Sequence, residues 1–177
     1  MGEPSAALPK KLKDYLIGEI KSKKFGYTQS IGTEELRSKI KEHYKKKYNI
    51  NVSIDNIAVT GGASAGIFMS LISLFDVGSV VAITQPGYPA YKNIINAIGL
   101  KPYFINTNFY ENFQINVKHV EKLPNYIKGI IISSPSNPCG TTIPNKEFKK
   151  IIEVCKIKRI KIISDEIYHG IDYFKKK

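Results

Sequence analysis

Short apolar runs alternate with amphipathic segments along most of this chain, and that alternation narrows its possible folds more than any other feature. Residues 57–60, 79–84, 102–105, 128–133 and 160–164 read as strands, several of them apolar enough to be buried on both faces. Between them, residues 63–75, 88–98, 117–123 and 145–157 read as helices, the last opened by Asn145 as its cap. Strand and helix repeating at this spacing build βαβ units. The expected fold is therefore α/β, a mostly parallel sheet with helices on both faces.

Two helices are expected ahead of the alternating region. Residues 9–23 place Leu12, Tyr15, Leu16 and Ile20 on one face. Thr33, followed by Glu34 and Glu35, is a good N-cap for a helix running to about Tyr48 with Leu36, Ile40 and Tyr44 inward. The expected division is an N-terminal helical segment, 1–48, and an incomplete α/β domain, 49–177. The tail Lys175-Lys176-Lys177 follows Tyr173-Phe174 without completing another element, which reads as truncation.

Composition excludes several classes. With 177 residues, 42% hydrophobic and 24% charged, the chain can bury an ordinary core and is not a disordered polymer. Its longest apolar runs, such as 77–83, are far too short to span a bilayer, so no membrane partner is expected. Residues 2–16 carry Lys10, Lys11 and Lys13 without an apolar signal core, and the two cysteines, Cys139 and Cys155, have no metal-ligand spacing. A reduced, cytoplasmic setting is expected. The formal net charge of +12 invites comparison with nucleic-acid binders. Of the 27 basic residues, however, only Arg37 and Arg159 carry the guanidinium that reads base edges, and the lysines scatter along helical segments. No specific nucleic-acid partner is expected. The histidines His43, His119 and His169 have neither triad nor ligand spacing.

The chemistry-bearing residues follow or end the apolar runs. Thr60-Gly61-Gly62-Ala63 joins a strand to a helix, where glycines admit an anion and the helix start offers free N–H groups. Tight packing is the competing explanation for those glycines. Gln85-Pro86-Gly87-Tyr88-Pro89-Ala90-Tyr91 follows the next strand at the same edge, and its prolines stiffen the loop so that the Tyr88 ring can serve as a stacking platform or as core. Asn137 sits in Ser134-Pro135-Ser136-Asn137-Pro138-Cys139-Gly140 just past a buried strand, with an amide able to donate to a phenolic oxygen. Asp165 ends an otherwise apolar strand. It either caps the next segment or pairs a cation such as a protonated pyridine nitrogen. Tyr168 follows three residues later.

In their order these segments resemble the class I and II aminotransferases, fold type I enzymes dependent on pyridoxal 5′-phosphate. The resemblance runs from Gly2-Glu3-Pro4 through Tyr27-Thr28-Gln29-Ser30-Ile31-Gly32 and Leu36-Arg37 to Asp165-Glu166-Ile167-Tyr168. It implies that Gly62 and Ala63 cradle the cofactor phosphate and that Tyr88 stacks on the ring. Asn137 and Tyr168 would bond the 3-hydroxyl, and Asp165 would pair the ring nitrogen. Tyr27 would reach the phosphate across a dimer interface, while Gly2 and Asn137 would lie near the substrate. The implied reaction moves an amino group between an amino acid and a 2-oxo acid.

In that family a Ser-x-Ser-Lys motif follows the Asp-Glu-Ile-Tyr strand and supplies the lysine that binds the cofactor covalently. Arginines for the phosphate and for the substrate carboxylate come later still. None of them lies within the 177 residues, so no catalytic residue is assigned. The expectation is an N-terminal part of an aminotransferase, inactive alone. It would be one half of a split enzyme with a complementary C-terminal half or a homodimer as partner, or a non-catalytic structural remnant. A basic nucleic-acid-binding domain is the more distant alternative. The six residues Gly62, Ala63, Tyr88, Asn137, Asp165 and Tyr168 are expected to converge at the carboxyl edge of the sheet.

Overall fold

The computed structural model describes residues 7–22 and 26–171. The chain divides into two compact units, 1–59 and 60–177, so the division falls later than the 48/49 boundary expected from the alternation.

In the first unit, α1 (Lys10–Ser22) and α2 (Glu34–Tyr48) are the regular elements. α1 forms where its apolar spacing predicts, yet Leu12, Tyr15, Leu16 and Ile20 all stay exposed. α2 starts as expected, with Thr33 Oγ1 accepting from the Leu36 amide at 3.4 Å. It ends on Asn49 in the left-handed region, whose amide closes onto the Lys45 and Tyr44 carbonyls. Its buried position is Arg37 and not Leu36 or Tyr44, which are exposed. The guanidinium donates to the Ile54 carbonyl at 3.2 Å, which gives its buried charge a polar partner. Residues 57–60, expected as a strand, form none. A 3-10 turn (Ile54–Asn56) leads into extended chain, and Val59 donates to the Ile31 carbonyl without a ladder forming.

The second unit is the α/β body. α3 (Ala63–Leu74), β1 (Val80–Gln85), α4 (Pro89–Ala97), β2 (Lys101–Asn106), α5 (Val117–Glu121), β3 (Ile127–Ser133), α6 (Asn145–Ile157) and β4 (Lys161–Asp165) follow in order. The expected alternation holds for these elements with ends shifted by one or two residues. Asn145 is the first residue of α6 and does not cap it. Pro144 holds the cap position, where a residue without an N–H loses nothing.

The strands pair in parallel in the order β2-β1-β3-β4. Side chains alternate across them, so the sheet divides two cores. Val81, Ile83, Ile131 and Ile163 face α3 and α4 through Ile67, Leu71, Tyr91 and Ile95. Ala82, Ile130 and Ile132 face α5 and α6 through Val120, Ile151 and Cys155. Gly129 is the small residue of β3 because the Phe75 ring occupies the place of its missing side chain. Burying these layers on both faces is what makes the apolar runs continuous instead of alternating. Among the described residues no helix is long and apolar enough to cross a membrane.

Candidate functional site

Parallel pairing brings Gln85, Ser133 and Asp165 to one edge as the last residues of β1, β3 and β4, with Ser133 directly beside Asp165. The order β2-β1-β3-β4 reverses direction between β1 and β3, the position at which loops part and leave a crevice in open parallel sheets. α3 delivers its first turn to the same edge. Lys161, which opens β4, donates to the carbonyl of Leu74, which closes α3, at 2.9 Å. Helix and strand therefore run in opposite senses, and Ala63 and Asp165 share the other end.

The turn before α3 is shaped by Gly62, whose φ of 94° a side chain would strain. A Cβ at Gly61 or Gly62 would meet nothing within 4 Å, so neither glycine is there for tight packing. Thr60 Oγ1 donates to the Gly62 carbonyl at 2.9 Å and fixes the turn. The amides of the first turn of α3 have no helical partner, and open space lies over the glycines. That combination suits an anion such as a phosphate.

Asp165 is 9% exposed and accepts two hydrogen bonds from neutral donors. The Tyr91 hydroxyl donates to Oδ2 at 2.5 Å, and the Ile167 amide to Oδ1 at 3.1 Å. Among the described residues no basic side chain pairs with it. A buried carboxylate with spare lone pairs and no counter-charge fits a cationic ring nitrogen. Tyr91 is itself buried, and its phenol is pushed well above the usual range by burial and by the hydrogen bond to Asp165. It remains a donor throughout the physiological range. Tyr88 sets its ring edge-on to Tyr91, with centroids 5.4 Å apart, and remains partly exposed.

The loop carrying Asn137 is fastened at both ends. The Ser134 amide donates to the Asp165 carbonyl at 3.3 Å, and Ser134 Oγ accepts from the Ile143 amide at 3.0 Å. Within it, Ser136 donates to the Thr141 carbonyl and Gly140 to the Ser136 carbonyl. Buried Gln114 ties the loop to the strand by donating to the carbonyls of Thr141 and Ser133. The peptides before Pro86, Pro135 and Pro138 are cis.

Of the residues expected at the site, Gly62, Ala63, Tyr88, Asn137, Asp165 and Tyr168 all belong to segments that meet this edge. Tyr168 lies half-buried in the turn following Asp165. Tyr27 belongs to the first unit and is fully exposed, and Gly2 lies outside the described residues. Tyr91 and Gln114 were missed by sequence reasoning. A tyrosine three residues after Tyr88 on one helix face was the available signal for the first; nothing marked the second. Among the described residues no group of three or more His, Cys, Asp or Glu could hold a metal ion.

The model of the family described as aminotransferase class I and II matches residues 2–175. The chain belongs to the class I and II aminotransferases. Members of the family depend on pyridoxal phosphate and act on amino acids and 2-oxo acids. Among curated relatives, a valine–pyruvate aminotransferase of Mycobacterium tuberculosis is 33% identical over 97% of this chain and 44% of its own length. A (5-formylfuran-3-yl)methyl phosphate transaminase of Methanocaldococcus jannaschii is 42% identical over 98% of this chain and again 44% of its own. In three dimensions, an aromatic aminotransferase of Pyrococcus horikoshii superimposes with a TM-score of 0.93 at 28% identity, covering all of this chain and 48% of that one. The chain thus spans less than half the length of the relatives it matches, and its sheet is that of the fold type I aminotransferases.

Proposed function

We propose that residues 60–171 form the cofactor-holding half of a pyridoxal-phosphate-dependent aminotransferase that exchanges amino groups between an amino acid and a 2-oxo acid. The observation that carries this reading is Asp165, a buried carboxylate with neutral donors and no described counter-ion. It stands at the edge where α3 presents its glycine turn.

In this reading Gly62 and Ala63 bind the phosphate through amides at the start of α3. Tyr88 offers its half-exposed ring to one face of the pyridine, and Asp165 holds a proton on the ring nitrogen. Asn137 and Tyr168 approach the 3-hydroxyl from the loops after β3 and β4. When bound, the cofactor supplies an electron sink for the pair left at an amino acid's α-carbon. The proposal extends to Tyr27 reaching the phosphate in a homodimer or with a complementary half, to Gly2 and Asn137 beside the substrate, and to a cytoplasmic setting.

Titration of the purified chain with pyridoxal 5′-phosphate, followed by absorbance and by fluorescence quenching, tests it. Saturable binding that falls at least tenfold in Asp165→Ala supports the reading. Absence of binding, or binding indifferent to Asp165, supports a structural remnant instead.

A further inference from the structure

We infer that Tyr91 is a positioning residue for Asp165: its hydroxyl aims the carboxylate at a cationic ring nitrogen without cancelling the charge that attracts it. The inference rests on the function proposed above and adds a residue to it. Tyr91 occupies the first turn of α4, is 2% exposed, and reaches Asp165 Oδ2 at 2.5 Å across 74 residues of sequence. Its ring is held by the Tyr88 ring and packs in the core with Leu71, Ile95, Ile131 and Ile163. One rigid side chain therefore connects the proposed stacking ring to the proposed nitrogen partner.

The choice of donor matters. A carboxylate has about four acceptor positions, and the described donors take one on each oxygen. A lysine or arginine in place of Tyr91 would fix the orientation equally well but neutralise the anion. A phenol fixes it and leaves the full negative charge for a ligand. Burial and the neighbouring carboxylate both disfavour loss of the Tyr91 proton, so the donor persists well above the usual tyrosine range. The ligand class that this arrangement selects is a planar cation with one N–H in the ring plane, the protonated pyridine.

The test uses the whole chain and pyridoxine 5′-phosphate, which has no aldehyde and whose 3-hydroxypyridine absorption reports ring protonation. Tyr91→Phe keeps the ring and its packing. The expected result is an unchanged fold by circular dichroism, with about tenfold weaker binding because the Asp165 carboxylate is no longer held toward the ring nitrogen. The bound ring should also deprotonate at lower pH than in the parent chain. In an Asp165→Asn background the same substitution should change neither quantity further, because a positioning role vanishes with its target. Equal affinity and ring ionisation in Tyr91→Phe, a rise in ring ionisation, or additive losses in the double variant would overturn the inference and leave Tyr91 a packing residue. A parent chain that fails to bind the probe overturns the function proposal itself and this role with it, an outcome distinct from binding that ignores Tyr91.

Discussion

The side-chain amide of Gln114 donates to the carbonyl of Thr141 at 2.6 Å. With its second bond to the Ser133 carbonyl, it pins the return of the Asn137 loop to the end of β3. Gln114→Met keeps the volume and removes the donor, taking the bond from the Ser133 carbonyl and leaving the Thr141 carbonyl with the Ser136 amide. The expected cost is about 1–3 kcal/mol. Hydrogen exchange at the Ser136 and Gly140 amides should accelerate while the β3 amides stay protected, because only the loop loses its fastening. Equal exchange in parent and variant would mean that the loop's own turn bonds suffice.

Gly129→Ala should destabilise the second unit by about 1–3 kcal/mol in urea unfolding, since the added methyl lands on the Phe75 ring. Adding Phe75→Leu should recover part of the loss. Additive losses would show that the strain comes from somewhere other than that ring.

The sheet separates its two cores, so a cavity on each side should act independently. Leu71→Ala and Ile151→Ala each remove a fully buried side chain and should each cost about 2–5 kcal/mol. Their sum should match the double variant within about 0.5 kcal/mol. If the double variant does not fold, the comparison passes to Leu71→Val with Ile151→Val.

Cys155 is buried at the inner face of α6, and burial pushes its thiol up to about 11. The folded chain therefore holds this proton longer than the unfolded chain, whose thiol titrates near ~8.5. The stabilisation is complete below the unfolded value and is lost as pH rises toward about 11. Urea midpoints should fall between pH 8 and pH 10.5, and Cys155→Val should flatten that slope. In iodoacetamide labelling at pH 8, half-buried Cys139 should react in the native chain and Cys155 only after unfolding. Native labelling of both would contradict the packing of α6.

Much of the second unit was legible because β3 and the middle of β1 are buried on both sides and α4 and α6 bury one apolar face, so pattern and packing agree there. Thr33 was legible for a local reason, a hydroxyl three residues before a free amide. The misreadings share a different origin. Residues 57–60 have the β-branched composition of a strand, but a strand exists only with a neighbour, and Val59 finds a single carbonyl at Ile31. Leu36 and Tyr44 were expected to face inward on α2, yet Arg37 is the buried position, because the Ile54 carbonyl receives its guanidinium. At the edge of the sheet, Asp165 was conspicuous as a carboxylate ending an apolar run. Its partner Tyr91 was not, because the pairing is set by the order of strands and not by spacing along the chain.

That order also carries a consequence for how the chain reaches its native state. β1 and β2 are adjacent in sequence and in space, whereas Asp165 arrives on β4, at the far side of the sheet and last of the four strands. Its hydroxyl partner waits 74 residues upstream, a contact of long loop closure that two-state folding postpones. A ribosome-bound chain would complete the core between β1, β2 and α4 well before the carboxylate leaves the exit tunnel. Any small molecule recognised by Tyr91 and Asp165 together therefore reports only chains in which β4 has joined β3, and its binding rate in a refolding experiment is a clock for that docking.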